Sequence, residues 1–224
     1  MAWEELLMLH WPVDAVALQS HLPVGVQVDT FAGSAWLGIV PFRMTRTRLR
    51  RLPPVPTAYQ FLELNVRSYV RVDGKPGVWF FSLDAESRLA VEGARWRFGL
   101  PYFKARMQSS RRGERRFYTS ERRDGRAPVA TFAADWGVTG PALPATPGSL
   151  PHFLVERYCL FAQRRGQLVG GDIVHAPWQL APVDVNVTTN DMARLLALEL
   201  RGPPTSAFAA LPLTIAAWSP LACS

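Results

Sequence analysis

The segment from Phe61 to Val72 alternates apolar and polar side chains with a period of two residues. This period is typical of a β-strand, because successive side chains of a strand point to opposite faces of its sheet. One face is aliphatic apart from Ser68, and the other carries Phe61, Glu63, Asn65, Arg67, Tyr69 and Arg71. The pattern predicts a strand whose aliphatic face packs in an apolar core and whose polar face meets water or a polar cavity.

Other short apolar segments are separated by glycine, proline and aspartate turns, with a few short helical segments between them. This order favours a mostly antiparallel β-barrel or sandwich with helices attached, of the α+β class, over alternating βαβ units. One helix is predicted from Ala85 to Phe98, with Asp84 as its N-cap and Gly99 at its end. The proline-rich segment from Arg50 to Pro56 is expected to be an extended loop within a single domain, residues 1–224.

The cysteine content and the termini indicate a cytoplasmic setting. Two cysteines, Cys159 and Cys223, are too few for a disulfide framework or a four-cysteine zinc site. The N-terminus lacks the basic and apolar regions of a signal peptide. The uncharged segment from Ala207 to Cys223 is shorter than the ~20 residues of a membrane-spanning helix and contains Pro212 and Pro220. It is therefore predicted to be a buried terminal strand, and no membrane is expected as a partner.

The net charge of +7 is concentrated in two arginine-rich segments. The longer one, from Lys104 to Arg126, holds nine basic and three acidic residues and includes a predicted hairpin of Arg115 to Arg122 with Ala127 to Ala133. Such a patch could contact phosphates, but no nucleic-acid-binding motif accompanies it. The preferred interpretation is a solvated surface, without a nucleic-acid partner.

Several chemistries lack their motifs. The four histidines, His10, His21, His152 and His175, form no HxH or HxxxH pair, so no metal site is predicted. No phosphate-binding glycine motif and no Gly-x-Ser-x-Gly elbow is present. No cofactor is expected, and nucleotide binding through these motifs and covalent serine catalysis are disfavoured.

The remaining candidates are Lys104 and the polar stripe. If Tyr102 to Met107 is a strand, then Tyr102, Lys104 and Arg106 share one side of it. A nucleophilic lysine needs its pKa lowered by about three units from ~10.4, a cost of about 4 kcal/mol, which burial and a neighbouring guanidinium could supply. The alternative is that Lys104 begins the basic hairpin and points to water. The stripe of Glu63, Asn65 and Arg67 fits a solvated face or a cavity lining.

A family resemblance is carried by short segments that occur in the same order along nearly the whole chain. They include Leu22-Pro23-Val24-Gly25, Ala35-Trp36-Leu37-Gly38, Phe61-Leu62-Glu63-Leu64-Asn65-Val66-Arg67, Phe80-Phe81-Ser82-Leu83-Asp84-Ala85 and Glu156-Arg157-Tyr158-Cys159-Leu160. The chain resembles the uncharacterised YqjF-like bacterial proteins. This resemblance implies the acetoacetate decarboxylase-like fold, a single-domain β-barrel or cone with peripheral helices.

In acetoacetate decarboxylase a lysine pair follows a Gly-x-Pro segment, and one lysine forms a Schiff base with the keto acid. Gly99-Leu100-Pro101 matches that segment here, but Tyr102 and Phe103 occupy the places of the lysines. The decarboxylase activity is therefore not carried over. Lys104 lies two residues beyond the first lysine place, about 6 to 7 Å further along a strand. Glu63 resembles the acidic residue of the decarboxylase pocket.

Three hypotheses follow, and enzymatic activity is left open between them. In the first, the barrel cavity binds a small organic anion, with Arg67 as the anion ligand and Asn65, Tyr102 and Glu63 lining the cavity. In the second, a Schiff-base enzyme acts on a keto acid, with Lys104 as nucleophile, Arg106 lowering its pKa and Glu63 moving protons. In the third, the basic hairpin binds an acidic partner. The ligand and the oligomeric state, including a homo-oligomer, are left open.

Overall fold

In the computed structural model, residues 1–47, 59–217 and 221–222 are described, so the predicted loop at residues 50–56 and Cys223 lie outside the described residues. The strands, in chain order, are β1 (Ala2–Glu4), β2 (Leu6–Val13), β3 (Gln27–Val28), β4 (Ala35–Thr45), β5 (Phe61–Val72), β6 (Lys75–Ala85), β7 (Tyr102–Arg112), β8 (Arg115–Arg122), β9 (Thr131–Val138), β10 (Leu143–Pro144), β11 (Cys159–Arg164), β12 (Gln167–Val174), β13 (Gln179–Asn190), β14 (Ser206–Ala210), β15 (Leu213–Thr214), β16 (Ala216–Ala217) and β17 (Leu221–Ala222). The terminal segment is therefore several short strands and not one, because proline at position 212 cannot donate to a ladder.

The helices are short and lie outside the sheet: α1 (Ala15–Gln19), α2 (Arg88–Phe98), α3 (Leu150–Val155) and a 3₁₀ helix (Met192–Leu196). The predicted N-cap of α2 is wrong. Ser87 caps this helix by accepting a hydrogen bond from the amide of Ala90, whereas Asp84 is part of β6. Asp84 stays in the strand because Arg122, fully buried like Asp84, donates from Nε to its Oδ1 at 2.8 Å. None of the helices in the described part of the chain is long and apolar enough to cross a bilayer.

Nine strands close into a barrel, which confirms the mostly β fold class predicted from the sequence. The ring runs through β2, β4, β5, β6, β7, β8, β9, β13 and β14, and β14 pairs with β2 to close it. All of these pairings are antiparallel except that of β6 with β7. That parallel pair is connected by α2, since a parallel connection requires a crossover.

The interior of the barrel is an apolar core, to which all nine strands contribute. Its residues include Leu9, Ile39, Leu64, Phe81, Met107, Tyr118, Trp136, Val185 and Ala207. Full burial of one such side chain contributes about 1.5–3 kcal/mol, so this filled interior is a main source of stability. On β5 the contributing residues are Leu62, Leu64 and Val66, the aliphatic face of the predicted alternation.

A second core lies against the outer face of β2, β4, β5 and β6, and we call it the outer compartment. It includes Met8, Val40, Tyr69, Phe80 and Leu83 from these strands. Its cover includes residues of α2, α3, β12 and β14, among them Val91, Leu154, Ile173 and Phe208. Because β4, β5 and β6 separate the two cores, nearly every residue of β5 is buried.

The location of the polar stripe corrects one expectation. Glu63, Asn65 and Arg67 were expected to line the cavity of the barrel, but they lie on the face of β5 opposite to Leu62, Leu64 and Val66, which fill the barrel. The stripe therefore faces the outer compartment. A period of two distinguishes the faces of a strand, but it does not show which face is inside when both are buried.

Candidate functional site

The polar stripe of β5 is buried along the outer compartment. Glu63, Asn65 and Arg67 are 2%, 3% and 6% exposed, which excludes the solvated-face alternative. The strand positions them through register: Asn65 pairs with Val40 on β4 and with Leu83 on β6, and both of these side chains belong to the outer compartment. Directly paired residues of antiparallel strands project to the same face. The stripe is thus a row of polar groups enclosed by apolar ones.

Glu63 and Tyr102 form one end of this row. The hydroxyl of Tyr102 donates to Oε2 of Glu63 at 3.1 Å. Tyr102 reaches it because β7 begins beside β6, with Tyr102 paired to Leu83. The hydroxyl of Tyr118 donates to the main-chain oxygen of Glu63 at 2.8 Å and anchors the strand there. The structure therefore brings together two residues that the sequence singled out.

The environment of Glu63 keeps its carboxyl group protonated near neutral pH. Burial raises its pKa to about 8, the hydrogen bond from Tyr102 opposes the rise, and the negative charge of Asp84 adds to it. Burial, and then the carboxyl group of Glu63, raise the pKa of Tyr102 well above its usual value of 10. The pair is therefore neutral at pH 7, and Glu63 can donate a proton or a hydrogen bond into the outer compartment.

Arg67 lies in a cluster with His10, Tyr69 and Gly38, which we call the arginine cluster. Its Nη2 lies 4.0 Å from Sδ of Met8, and its guanidinium carbon lies 5.9 Å from the centroid of the Tyr69 ring. No carboxylate of the described residues forms an ion pair with Arg67. Since a guanidinium remains charged in a protein, the cluster holds a buried positive charge.

Several polar groups around Arg67 are poorly satisfied. Oδ1 of Asn65 and Nε of Arg67 are buried and have no hydrogen-bond partner among the described residues. The ring nitrogens of His10 and the hydroxyl of Tyr69 form no well-aligned hydrogen bond there either, although the main chain of Ser206 lies close enough to His10, and Arg67 close enough to Tyr69, to act on their pKa values. Burial and the positive charge of Arg67 lower the pKa of His10 well below 6.5, so its imidazole is neutral. Each buried polar group without a partner costs about 1–3 kcal/mol, so this concentration is unfavourable unless a further molecule satisfies it.

Gly38 provides the space in which the arginine cluster converges. A Cβ atom at this position would lie 3.2 Å from Cδ2 of His10, 3.3 Å from the hydroxyl of Tyr69 and 3.4 Å from Cγ of Arg67. Glycine inside a strand often marks a place where other groups approach the backbone closely. The three side chains therefore meet over the one residue of β4 that carries no side chain.

Asp29, an acidic residue whose amide donates to the main-chain oxygen of Tyr69, has its own side-chain partners. Asp29 accepts from Nη1 of Arg157 at 2.6 Å and from Nε of Arg71 at 3.0 Å. The guanidinium carbon of Arg157 lies 5.5 Å from the centroid of the Tyr69 ring and 4.1 Å from that of Phe153. The single carboxylate of Asp29 is thus shared between Arg157 and Arg71 and does not serve as a counter-ion for Arg67.

Lys104 and Arg106 are not brought to this site. Both side chains are exposed, and with Glu86 and Arg123 they border a surface depression of about 320 Å³. The amide of Lys104 donates to Oδ2 of Asp124 at 2.9 Å. Tyr102 and Lys104 both lie on β7, but only Tyr102 is covered. The assignment of Lys104 as a nucleophile stays a prediction, without the burial that its chemistry needs.

The basic hairpin is extensively paired with carboxylates. Nε and Nη2 of Arg115 donate to Oδ2 of Asp135 at 2.8 and 2.5 Å, and its Nη1 donates to Asp184 at 2.8 Å. Arg126 binds both Asp124 and Glu92. These ion pairs reduce the positive field that an acidic partner would recognise. In the described part of the chain, no three His, Cys, Asp or Glu residues are grouped as a metal site.

Comparison with known proteins places this geometry in a family. Residues 1–213 match the model of the family DUF2071, described as an uncharacterized conserved protein. The chain belongs to the DUF2071 family. Over 188 residues it is 42% identical to the uncharacterized protein YqjF of Bacillus subtilis (strain 168), and this alignment covers 84% of this chain and 77% of YqjF. The family resemblance read from the sequence is confirmed.

Solved structures similar to this DUF2071 chain have the acetoacetate decarboxylase-like fold. The enduracididine biosynthesis enzyme MppR, complexed with pyruvate, is 13% identical with a TM-score of 0.67, over 99% of this chain and 88% of MppR. Acetoacetate decarboxylase from Legionella pneumophila is 12% identical with a TM-score of 0.63, over 100% of this chain and 86% of that enzyme. At these identities the likeness concerns the fold.

Sequence reasoning missed His10, Gly38 and Tyr69 as members of the site. Tyr69 belongs to the stripe that was recognised, but it was not selected as a site residue. His10 is the one charged or titratable residue in Leu6–Val13, an otherwise apolar strand, and this isolation was the available signal. Nothing in the local sequence shows that these residues meet, because β2, β4 and β5 are brought together only by strand pairing.

Proposed function

We propose that this DUF2071 protein binds a small organic acid in the outer compartment, with the carboxylate of the ligand at Arg67. The observation that carries the proposal is the buried guanidinium of Arg67, which has no ion-pair partner among the described residues. A buried charge costs several kcal/mol unless it is paired and hydrogen-bonded. A carboxylate matches the parallel donors of a guanidinium and would provide that pair.

The neighbours of Arg67 suit the same ligand. Neutral His10 carries one N–H donor and the hydroxyl of Tyr69 another, and both side chains approach that of Arg67 over Gly38. Glu63 lies four residues further along β5, about 13 Å away at ~3.3 Å per residue, so its protonated carboxyl group faces the far end of a longer ligand and not a second oxygen of a small one. The donors of His10 and Tyr69 beside Arg67 favour an acid with a second oxygen near its carboxylate, such as a keto or hydroxy acid. A structural neighbour, MppR, is complexed with pyruvate, which is an acid of this kind.

Isothermal titration calorimetry with pyruvate and acetate as probes tests the proposal. Arg67→Met removes the charge and keeps most of the volume, and Arg106→Met is the matched control, because Arg106 is an exposed arginine. A hydrogen bond to a charged group contributes about 1.5–3 kcal/mol, so Arg67→Met is expected to weaken pyruvate binding roughly 10- to 100-fold. The affinity of Arg106→Met is expected to equal that of the wild type.

The folded state of Arg67→Met provides a further control. Replacement of a buried unpaired charge by an apolar side chain is expected to leave the free energy of unfolding unchanged or to raise it by about 1–4 kcal/mol. A loss of binding in a stable variant then reflects the site and not misfolding. Equal pyruvate affinity in the wild type and in Arg67→Met, or absence of binding to the wild type, would refute the proposal.

A further inference from the structure

Strand β6 has two different partners along the edge that does not face β5. Near its start, Val78 and Trp79 pair with Leu160 and Phe161 of β11. Near its end, the pairing passes to β7, beginning with Leu83 and Tyr102. The sheet therefore forks at β6: one branch, β7, continues the barrel, and the other branch, β11, contributes to the layer beside it. Phe80, Phe81 and Ser82 lie at the fork, between the two sets of register partners.

A bulge in β6 coincides with the fork. Arg67 of β5 pairs with Phe80, whereas the preceding residue, Val66, pairs with Ser82, so Phe81 is an extra residue. A bulge bends its strand and interrupts the regular ladder. The interruption is directly across from Arg67. The two side chains of the register pair Arg67 and Phe80 project to the same face, towards the outer compartment.

An apolar cleft of about 240 Å³ opens at the fork, and we call it the fork cleft. Its lining comes from three segments, residues 79–81 of β6, 99–101 before β7 and 161–163 of β11. Phe80 and Leu100 line the fork cleft and also pack in the outer compartment. Phe80 therefore links the two sites, because it is the register partner of Arg67 and also lines the fork cleft.

We propose that the fork cleft is the apolar subsite of the ligand bound at Arg67, and that the ligand is therefore a carboxylic acid with a short acyl or aryl tail. This inference rests on the proposed function, because the unpaired charge of Arg67 defines which end of the ligand lies inside. The carboxylate occupies the arginine cluster, and the tail passes Phe80 and lies between Leu100, Pro101 and Phe161.

The affinity of a homologous series of acids tests the inference. Acetate, butanoate and hexanoate are titrated into the wild type, Leu100→Trp and Leu100→Ala. Each methylene that becomes buried raises affinity about fourfold, so affinity is expected to increase along the series in the wild type. Leu100→Trp fills the fork cleft and is expected to abolish this increase while acetate binds as before. Leu89→Trp is the matched control, since Leu89 is exposed on α2.

The outcomes separate this inference from the proposed function. Equal binding of acetate and hexanoate by the wild type, or the same increase along the series in Leu100→Trp, overturns the subsite and leaves binding at Arg67 intact. Absence of carboxylate binding by the wild type overturns both. If Leu100→Trp does not fold, Leu100→Ala decides: enlarging the cleft is expected to shift the preference towards the longer acid, and an unchanged preference overturns the inference.

Discussion

Glu63→Gln changes the dependence of stability on pH, because it replaces a carboxyl group that the folded state holds protonated. Burial raises the pKa of Glu63 from 4.5 to about 8. Glutamine has a similar shape, remains neutral and keeps an oxygen that can accept the hydrogen bond from Tyr102. The substitution therefore isolates the ionisation of Glu63 from its packing.

The sign of the effect follows from proton linkage. Between pH 4.5 and pH 8 the unfolded wild type releases a proton that the folded wild type retains, so its free energy of unfolding falls as pH rises. Below pH 4.5 both states are protonated, and above pH 8 both are ionised, so the slope disappears outside this interval. At about 1.4 kcal/mol per pH unit, the full loss is roughly 5 kcal/mol.

Urea denaturation at a series of pH values from 4 to 9 measures this loss. The difference in unfolding free energy between Glu63→Gln and the wild type is expected to grow by roughly 3–6 kcal/mol across that range, in favour of the variant. The contribution of His10 is common to both proteins and cancels, whereas the repulsion between Asp84 and Glu63 is absent from the variant and forms part of the measured difference. The exposed Glu86→Gln is the control, and its curve is expected to run parallel to that of the wild type. Parallel curves for Glu63→Gln as well would refute the account of a buried, protonated Glu63.

Three further predictions concern other parts of the structure. Arg122→Met leaves the buried carboxyl of Asp84 unpaired and is expected to lower the free energy of unfolding, measured in urea, by about 3–5 kcal/mol. Most of this loss is expected to be recovered when Asp84→Leu is added. No loss in the single variant, or no recovery in the double variant, contradicts the buried ion pair. Gly38→Ala is expected to reduce pyruvate affinity at least tenfold, because the new Cβ enters the arginine cluster. Gly137→Ala is the control, since its Cβ would lie 3.9 Å from its nearest neighbour, and its affinity is expected to equal that of the wild type. Equal pyruvate affinities of Gly38→Ala and the wild type argue against the arginine cluster as the site. Borohydride trapping with pyruvate is expected to label the wild type and Lys104→Ala equally, because Lys104 is exposed; labelling that depends on Lys104 would support the Schiff-base hypothesis.

Period-two alternation was sufficient to predict β5 and its two unlike faces, and ordered segments were sufficient to predict the family and its fold. The local pattern could not predict which face fills the barrel, because β5 is buried on both sides. The prediction of Asp84 as the N-cap of α2 was wrong for a similar reason. Asp84 and Ser87 are both good N-cap residues, and the choice between them depends on Arg122, which is 38 positions away from Asp84 in the sequence.

The candidate site shows the same division between local and long-range information. The strands that carry Glu63 and Tyr102 are predicted from local pattern, but their contact depends on the parallel pairing of β6 with β7. The convergence of His10 and Arg67 over Gly38 depends in the same way on the pairing of β2, β4 and β5. The exposure of Lys104 depends on where β7 lies relative to β6 and its neighbours, and the local sequence pattern does not predict this position. The single domain, the cytoplasmic setting, a homo-oligomer and the absence of a cofactor stay predictions.

A crystal structure of the protein soaked with 4-bromobenzoate tests the central claim most directly, because the bromine gives an anomalous signal that locates the ligand. The account predicts the carboxylate within hydrogen-bond distance of the Arg67 guanidinium in the outer compartment, with the bromine in the fork cleft, and no ligand in the crystals of Arg67→Met. An outer compartment without ligand at saturating concentration, or a ligand bound instead beside Lys104, would contradict it.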